Sequence, residues 1–194
     1  MQALVGYGRL DAPPVEDATL ALRAANGELA AFNELVERYQ SAVYNLCLRM
    51  LGQPAAAEDA TQETFFAAYR SIRSLRGAGV RAWLLRIASN QCLDVLRART
   101  RRPAVGLPEE VLVEDPAPGP AESALSAEAI RAIERALAQL PADQRLCVVL
   151  IDVQGLDYAE AAAVSGANLG TVKSRLSRAR AALRELLGPE FRPE

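Results

Sequence analysis

Leu169-Gly170-Thr171-Val172-Lys173-Ser174-Arg175-Leu176-Ser177-Arg178-Ala179-Arg180 is the stretch on which the fold turns. At 3.6 residues per turn, Val172, Leu176, Ala179, Leu183 and Leu186 fall on one face. Lys173, Ser174, Ser177, Arg178 and Ala181 fall on or beside the opposite one. The first face packs inward; the second offers cations to phosphates and hydroxyls to base edges. Just upstream, Asp157 with Glu160 three residues later predicts a capping box, opening a short helix that ends at Val164. Ser165-Gly166-Ala167-Asn168 then forms a tight turn. This is the layout of a helix-turn-helix, whose second helix enters the DNA major groove by its N-terminal end. A helix N-terminus also favours anions, so phosphate contact there needs little extra arrangement. Taken alone, the stretch also fits an ordinary helical hairpin with a solvated basic face.

Working back along the chain, Pro141 predicts the start of a helix running to about Val153, and Ser126 an N-cap for a helix reaching Leu140. Residues 103–123 hold five prolines, two glycines and several acids. Such a composition buries too little apolar surface to offset ordering, so 103–124 reads as a flexible, acidic, proline-rich linker. Before it lies a second helical unit. Helical patterning begins near Asp17, with Leu29, Phe32, Leu35, Val36, Tyr39 and Val43 in phase. Gly52-Gln53-Pro54 breaks the chain, glycine ending one helix and proline starting the next, which runs from Ala55 to about Ile72. A loop spans Ser74–Val80, and a helix from Arg81 to about Arg99 carries Leu84, Ile87, Ala88, Gln91 and Val95 on one side. The expected fold class is all-α: a loose N-terminal tail over 1–17, a helical domain over 18–102, the linker, and a helix-turn-helix domain over 125–188.

The 194 residues carry 22 basic and 24 acidic side chains, for a net charge of −2. That balance conceals a strong asymmetry. From Arg70 to Arg102 there are nine arginines and one acid, Asp94, whereas from Pro103 to Ile130 there are six acids and no basic residue. Cations beside a Gly-rich loop, with Ser89 and Asn90 placed outward, suit a surface that tracks a nucleic-acid backbone. Trp83 sits at an apolar helical position and reads as core. Glu58, Asp59, Gln62 and Glu63 form an acidic cluster on one helix. With no histidine, phosphate loop or nucleophile setting beside it, the cluster reads as a protein-contact patch, and no catalytic constellation appears; the protein is not expected to be an enzyme. The chain has no histidine and three widely spaced cysteines, so ordinary His/Cys zinc sites are excluded and the thiols read as buried packing residues. No cofactor or metal is expected. No signal peptide or membrane span is apparent, and a cytoplasmic location follows.

The segments Gly27–Phe32, Ala57–Phe65, Arg81–Asn90, Asp94–Arg97, Leu140–Pro141, Gly155–Ala162 and Gly170–Arg175, in this order, resemble the extracytoplasmic-function (ECF, group IV) sigma factors of bacterial RNA polymerase. The resemblance spans about residues 20–100 and 125–187. It implies a sigma region 2 helical bundle and a sigma region 4 helix-turn-helix. It also implies that the chain binds core RNA polymerase and directs promoter-specific transcription initiation. Region 2 would bind the β′ clamp helices through Glu58, Asp59, Gln62 and Glu63. It would capture the melted −10 element with Arg76, Arg81, Arg86, Ser89, Asn90 and Arg97. Region 4 would touch the β flap and bind the −35 duplex with Thr171, Lys173, Ser174, Arg175, Ser177 and Arg178. Control, on the family pattern, falls to a separate protein, an anti-sigma factor. The chain departs from the family at Ala60 and Ala161, where a bulkier aliphatic residue is usual, implying altered packing. It departs again at Ser89, where a basic residue is common. The competing reading is a conventional helix-turn-helix regulator, binding duplex DNA as a symmetric dimer. It accounts for residues 126–187 equally well, but not for the basic first domain or the acidic cluster.

Overall fold

The computed structural model describes residues 14–75, 79–101 and 122–188. Among them there are helices and turns and no strand. The first half holds α1 (Pro14–Ala25), α2 (Leu29–Leu51), α3 (Pro54–Ser71), a 3₁₀ turn at Ile72–Ser74, and α4 (Val80–Arg101). The second holds α5 (Glu122–Gln139), α6 (Ala142–Val148) continuing as a π-helical stretch over Val149–Val153, α7 (Tyr158–Ser165) and α8 (Leu169–Leu187).

Helix starts and stops follow local chemistry. Glycine at Gly52 ends α2 in the left-handed conformation (φ 71°), its N–H donating to the Leu48 carbonyl at 2.8 Å. Pro54 then opens α3. The helical pattern that the sequence shows from Asp17 onward is in fact two helices. The chain turns at Asn26-Gly27, with Gly27 at φ 96°, and the Arg23 guanidinium bridges the turn to the Glu28 carboxylate. α1 also begins earlier than expected, at Pro14, so residues 14–17 are helical rather than part of a loose tail. Its Asp17 is buried, accepting from Arg38 Nη1 at 2.6 Å and from the Tyr39 hydroxyl. Burial first, and then this carboxylate, push the Tyr39 phenol above its ordinary range. α5 likewise starts at Glu122, so Ser126 lies inside the helix and is not its N-cap, and the last residues assigned to the linker are helical.

α2, α3 and α4 pack together as the first bundle. The face that α3 buries is made of small residues, Ala57, Ala60, Thr64 and Ala68, which lets it lie close to its neighbours. The Thr64 hydroxyl is satisfied within the helix by the Ala60 carbonyl at 2.7 Å. Cys47 of α2 and Cys92 of α4 meet inside this bundle as free thiols. Trp83 is partly buried against the core, and Leu29, expected inside, is exposed.

The two halves share one continuous apolar core, running from Leu20 to Ala179. Polar links cross between them. The Arg145 guanidinium donates to the carbonyl of Met50 in the last turn of α2, and Arg49 pairs with Glu134 at 2.8 Å. Gln154 Nε2 donates to the Ala42 carbonyl at 2.9 Å.

Candidate nucleic-acid interface

α7 and α8 form the helix-turn-helix; α7 opens on the capping box that the sequence predicts, and α8 on a cap that the sequence reading did not assign. The Asp157 side chain accepts from the Glu160 N–H at 2.8 Å, while the Glu160 side chain accepts from the Asp157 N–H at 2.9 Å. Gly166 closes α7 at φ 67°, and the Asn168 side chain caps α8 by accepting from the Thr171 N–H at 2.8 Å. Val172, Leu176 and Ala179 are buried as expected, with Leu183 partly so. At the far end Leu187 packs against the core, whereas Leu186, placed on the inward face by the sequence, is exposed.

The opposite face of α8 presents Lys173, Ser174, Ser177 and Arg178, all exposed, with Thr171 and Arg175 half-buried beside them. Several of these groups are already oriented. Lys173 Nζ lies 5.8 Å over the Tyr158 ring, within cation–π range. Ser174 Oγ donates to the Thr171 carbonyl at 3.0 Å. Arg175 pairs with Asp143 of α6 at 2.6 Å, and so belongs partly to the packed edge. Arg180 makes a two-pronged contact with Asp152, at 3.1 and 2.5 Å, which raises its pKa and ties α8 to the π-helical stretch.

On α4, Arg86, Asn90 and Arg97 are exposed and in phase, forming one stripe. Arg97 makes an exposed pair with Asp94 at 2.9 Å. Arg101 extends the stripe by one turn; helical spacing from Arg97 was the signal that would have added it. Two of the expected contacts differ. Ser89 is not outward: it is 1% exposed, in the buried stripe with Leu85 and Cys92, and its hydroxyl donates to the Leu85 carbonyl at 2.7 Å. Arg81 is half-buried and faces the second half of the chain. Its Nη2 donates to the Gln154 backbone carbonyl at 2.5 Å and lies 3.3 Å from the Gln154 side-chain oxygen. Arg76 lies outside the described residues.

Glu58, Asp59, Gln62 and Glu63 are all exposed on α3. Phe66, 56% exposed, follows one turn beyond Gln62 and Glu63, a large apolar side chain that the acidic reading overlooked. Among the described residues no group of His, Cys, Asp and Glu is placed to hold a metal ion, and no helix is long and apolar enough to cross a membrane.

Family models for Sigma-70 region 2 and Sigma-70 region 4 match residues 35–102 and 130–183. The chain is 39% identical over 183 residues to the ECF RNA polymerase sigma factor SigE of Mycolicibacterium smegmatis, covering 90% of this chain and 70% of that one. It is 34% identical over 190 residues to the ECF RNA polymerase sigma-E factor of Haemophilus influenzae, covering 92% and 98%. Among solved structures it resembles the sigma factor RpoE of Bartonella quintana, crystallised with the anti-sigma factor NepR. The TM-score is 0.67 at 32% identity, over 80% of this chain and 96% of that one. A helical first half that exposes acids and arginines on separate helices, a capped helix-turn-helix in the second, and these matches together place the chain in the sigma-70 family, as an ECF sigma factor that directs promoter-specific initiation by RNA polymerase.

Proposed function

We propose a division of labour among three surfaces of this sigma factor. The exposed face of α3, with Glu58, Asp59, Gln62 and Glu63, docks on the β′ clamp helices of core polymerase. Arg86, Asn90 and Arg97 of α4, joined by Arg81 and Arg76, hold the melted −10 strand: the arginines grip phosphate and Asn90 reads a base edge. Ser89, turned into the core, takes no part. Lys173, Ser174, Ser177 and Arg178 meet the −35 duplex, with Thr171 and Arg175 at the rim, while the second half also touches the β flap. The observation that carries this reading is the presence, on one chain, of an acidic face and two unlike basic faces. A dimeric regulator needs only one DNA-reading face, repeated by symmetry. The chain acts in the cytoplasm, without catalytic chemistry of its own, and an anti-sigma factor is its expected regulator; the Bartonella relative was crystallised with one.

Reconstitution tests the reading. Purified protein should give no promoter-specific transcripts alone and should confer them on core polymerase. Asp59→Ala with Gln62→Ala should weaken core binding while helical content stays unchanged, since the two side chains lie three apart on one helix surface. Tight, specific duplex binding by the free protein, with no stimulation of core polymerase, would overturn it in favour of the regulator.

A further inference from the structure

We propose that the two halves of the chain are joined by a reversible latch centred on Gln154, and that closing the latch and presenting Arg81 to DNA exclude one another; the second clause rests on the role given to Arg81 above. Gln154 is a buried polar residue at the end of the π-helical stretch. Its position is fixed from both sides. Its own N–H donates to the Val149 carbonyl at 2.9 Å, and Gly155 follows at φ 71°. From there its side chain donates to the Ala42 carbonyl of α2, and its backbone and side-chain oxygens both face Arg81 Nη2 of α4. One residue of the second half thus engages two helices of the first. In this arrangement the Arg81 fork is committed to carbonyl oxygens and is not free for phosphate.

The rest of the seam is built to reopen. Among the described residues, Arg145 is a buried cation with no carboxylate partner. Its guanidinium is held by the carbonyls of Met50, Ala138 and Leu140, and its Nε has no partner. Only the Met50 bond crosses the seam; the other two are internal to the second half and survive separation. Burying a charge against carbonyls alone is costly, so opening the seam returns hydration to Arg145 and offsets part of the apolar surface exposed. The Met50 carbonyl lies in the last turn of α2, where water replaces a lost donor. The acidic face of α3 and the outer face of α8 stay exposed while the seam is closed. A closed chain therefore meets polymerase with α3 first, and any partner that prefers the separated form shifts the population toward free Arg81.

The test uses the full chain and two variants, Gln154→Ala and Arg49→Ala, the second breaking the separate pair with Glu134. Small-angle scattering gives the radius of gyration. Labelling with an arginine-directed dicarbonyl, read by peptide mass spectrometry, gives the reactivity of Arg81, with exposed Arg86 as internal reference. Gln154→Ala should enlarge the radius and raise Arg81 labelling by roughly two- to tenfold, the shift that one net hydrogen bond commands, with Arg86 unchanged. Arg49→Ala should move both readings in the same direction. If both variants keep native helical content, radius and Arg81 labelling, there is no latch. Should Gln154→Ala lose helical content, Arg49→Ala alone decides. In run-off transcription, Gln154→Ala should reach half-maximal output at lower protein concentration than wild type. Greater Arg81 labelling with a half-maximal concentration unchanged from wild type would overturn the role of Arg81 in DNA binding and leave the latch standing.

Discussion

α8 and α4 carry comparable sets of cations and organise them differently. On α8 the half-buried arginines are tied to acids of the same half, Arg175 to Asp143 and Arg180 to Asp152, while Lys173 rests over Tyr158 of the preceding helix. Every tether is internal, so the face keeps its shape wherever the second half is carried. On α4 the arginines at the two ends bind carbonyls belonging to other elements. Arg81 reaches Gln154 across the seam, and Arg99 reaches the Leu51 carbonyl at 3.2 Å and the Gln53 side chain at 2.9 Å. One basic face is organised in advance by its own fold; the N-terminal end of the other depends on how the two halves sit together.

The largest effect that would break this contrast comes from the packing behind α8. Leu176 is 1% exposed, so Leu176→Ala should cost about 2–5 kcal/mol in chemical denaturation, with −35 duplex binding falling alongside stability. Retained duplex binding in a destabilised variant would mean that the face does not depend on packing for its shape.

Next is the contrast between Arg178, exposed, and Arg175, tied to Asp143. Arg178→Ala should cost roughly 1–3 kcal/mol of binding and relax preference at one promoter position. Arg175→Ala should weaken binding about equally on all sequences, with the salt slope reduced by about one. Titration against single-base promoter mutants at several salt concentrations separates the two; no change in either variant would mean that this face is simply solvated.

Asn90→Ala sharpens the comparison from the α4 side. It should impair open-complex formation more than initial duplex binding, because α4 is assigned to the melted strand. Footprints with equal loss of closed and open complexes would contradict that assignment.

The smallest effect is local. Asp157→Ala removes half of the capping box and should cost about 1 kcal/mol of stability. The position of α8 should survive the change, because Asn168, Val172 and Leu176 hold it independently.

What was legible in the sequence follows the same contrast. The capping box, the Gly166 turn and the buried stripe of α8 from Val172 to Leu183 are encoded within a few residues of one another and stand as read, while Leu186, read as the end of that stripe, is exposed. Ser89 was misplaced because a hydroxyl reads as a surface group, whereas here it sits in a buried stripe and is satisfied by the carbonyl one turn back. The turn at Asn26-Gly27 was missed because α1 and α2 carry similar apolar spacing on either side of it. The Gln154 contacts join residues 73 and 112 positions apart, and no local pattern records such pairings.

The small-residue seam of α3 has a consequence for tolerance to substitution. Ala57, Ala60, Thr64 and Ala68 act as a shim of minimum thickness beneath the helix whose far side carries Glu58, Asp59, Gln62 and Glu63. Thickening the shim at Ala60 would lift the whole row of acidic and amide side chains as a unit without altering any of them. The height of the face proposed above to dock on polymerase is therefore a property of residues buried beneath it. Adjusting it calls for paired changes, one beneath α3 and one in the neighbour that must make room.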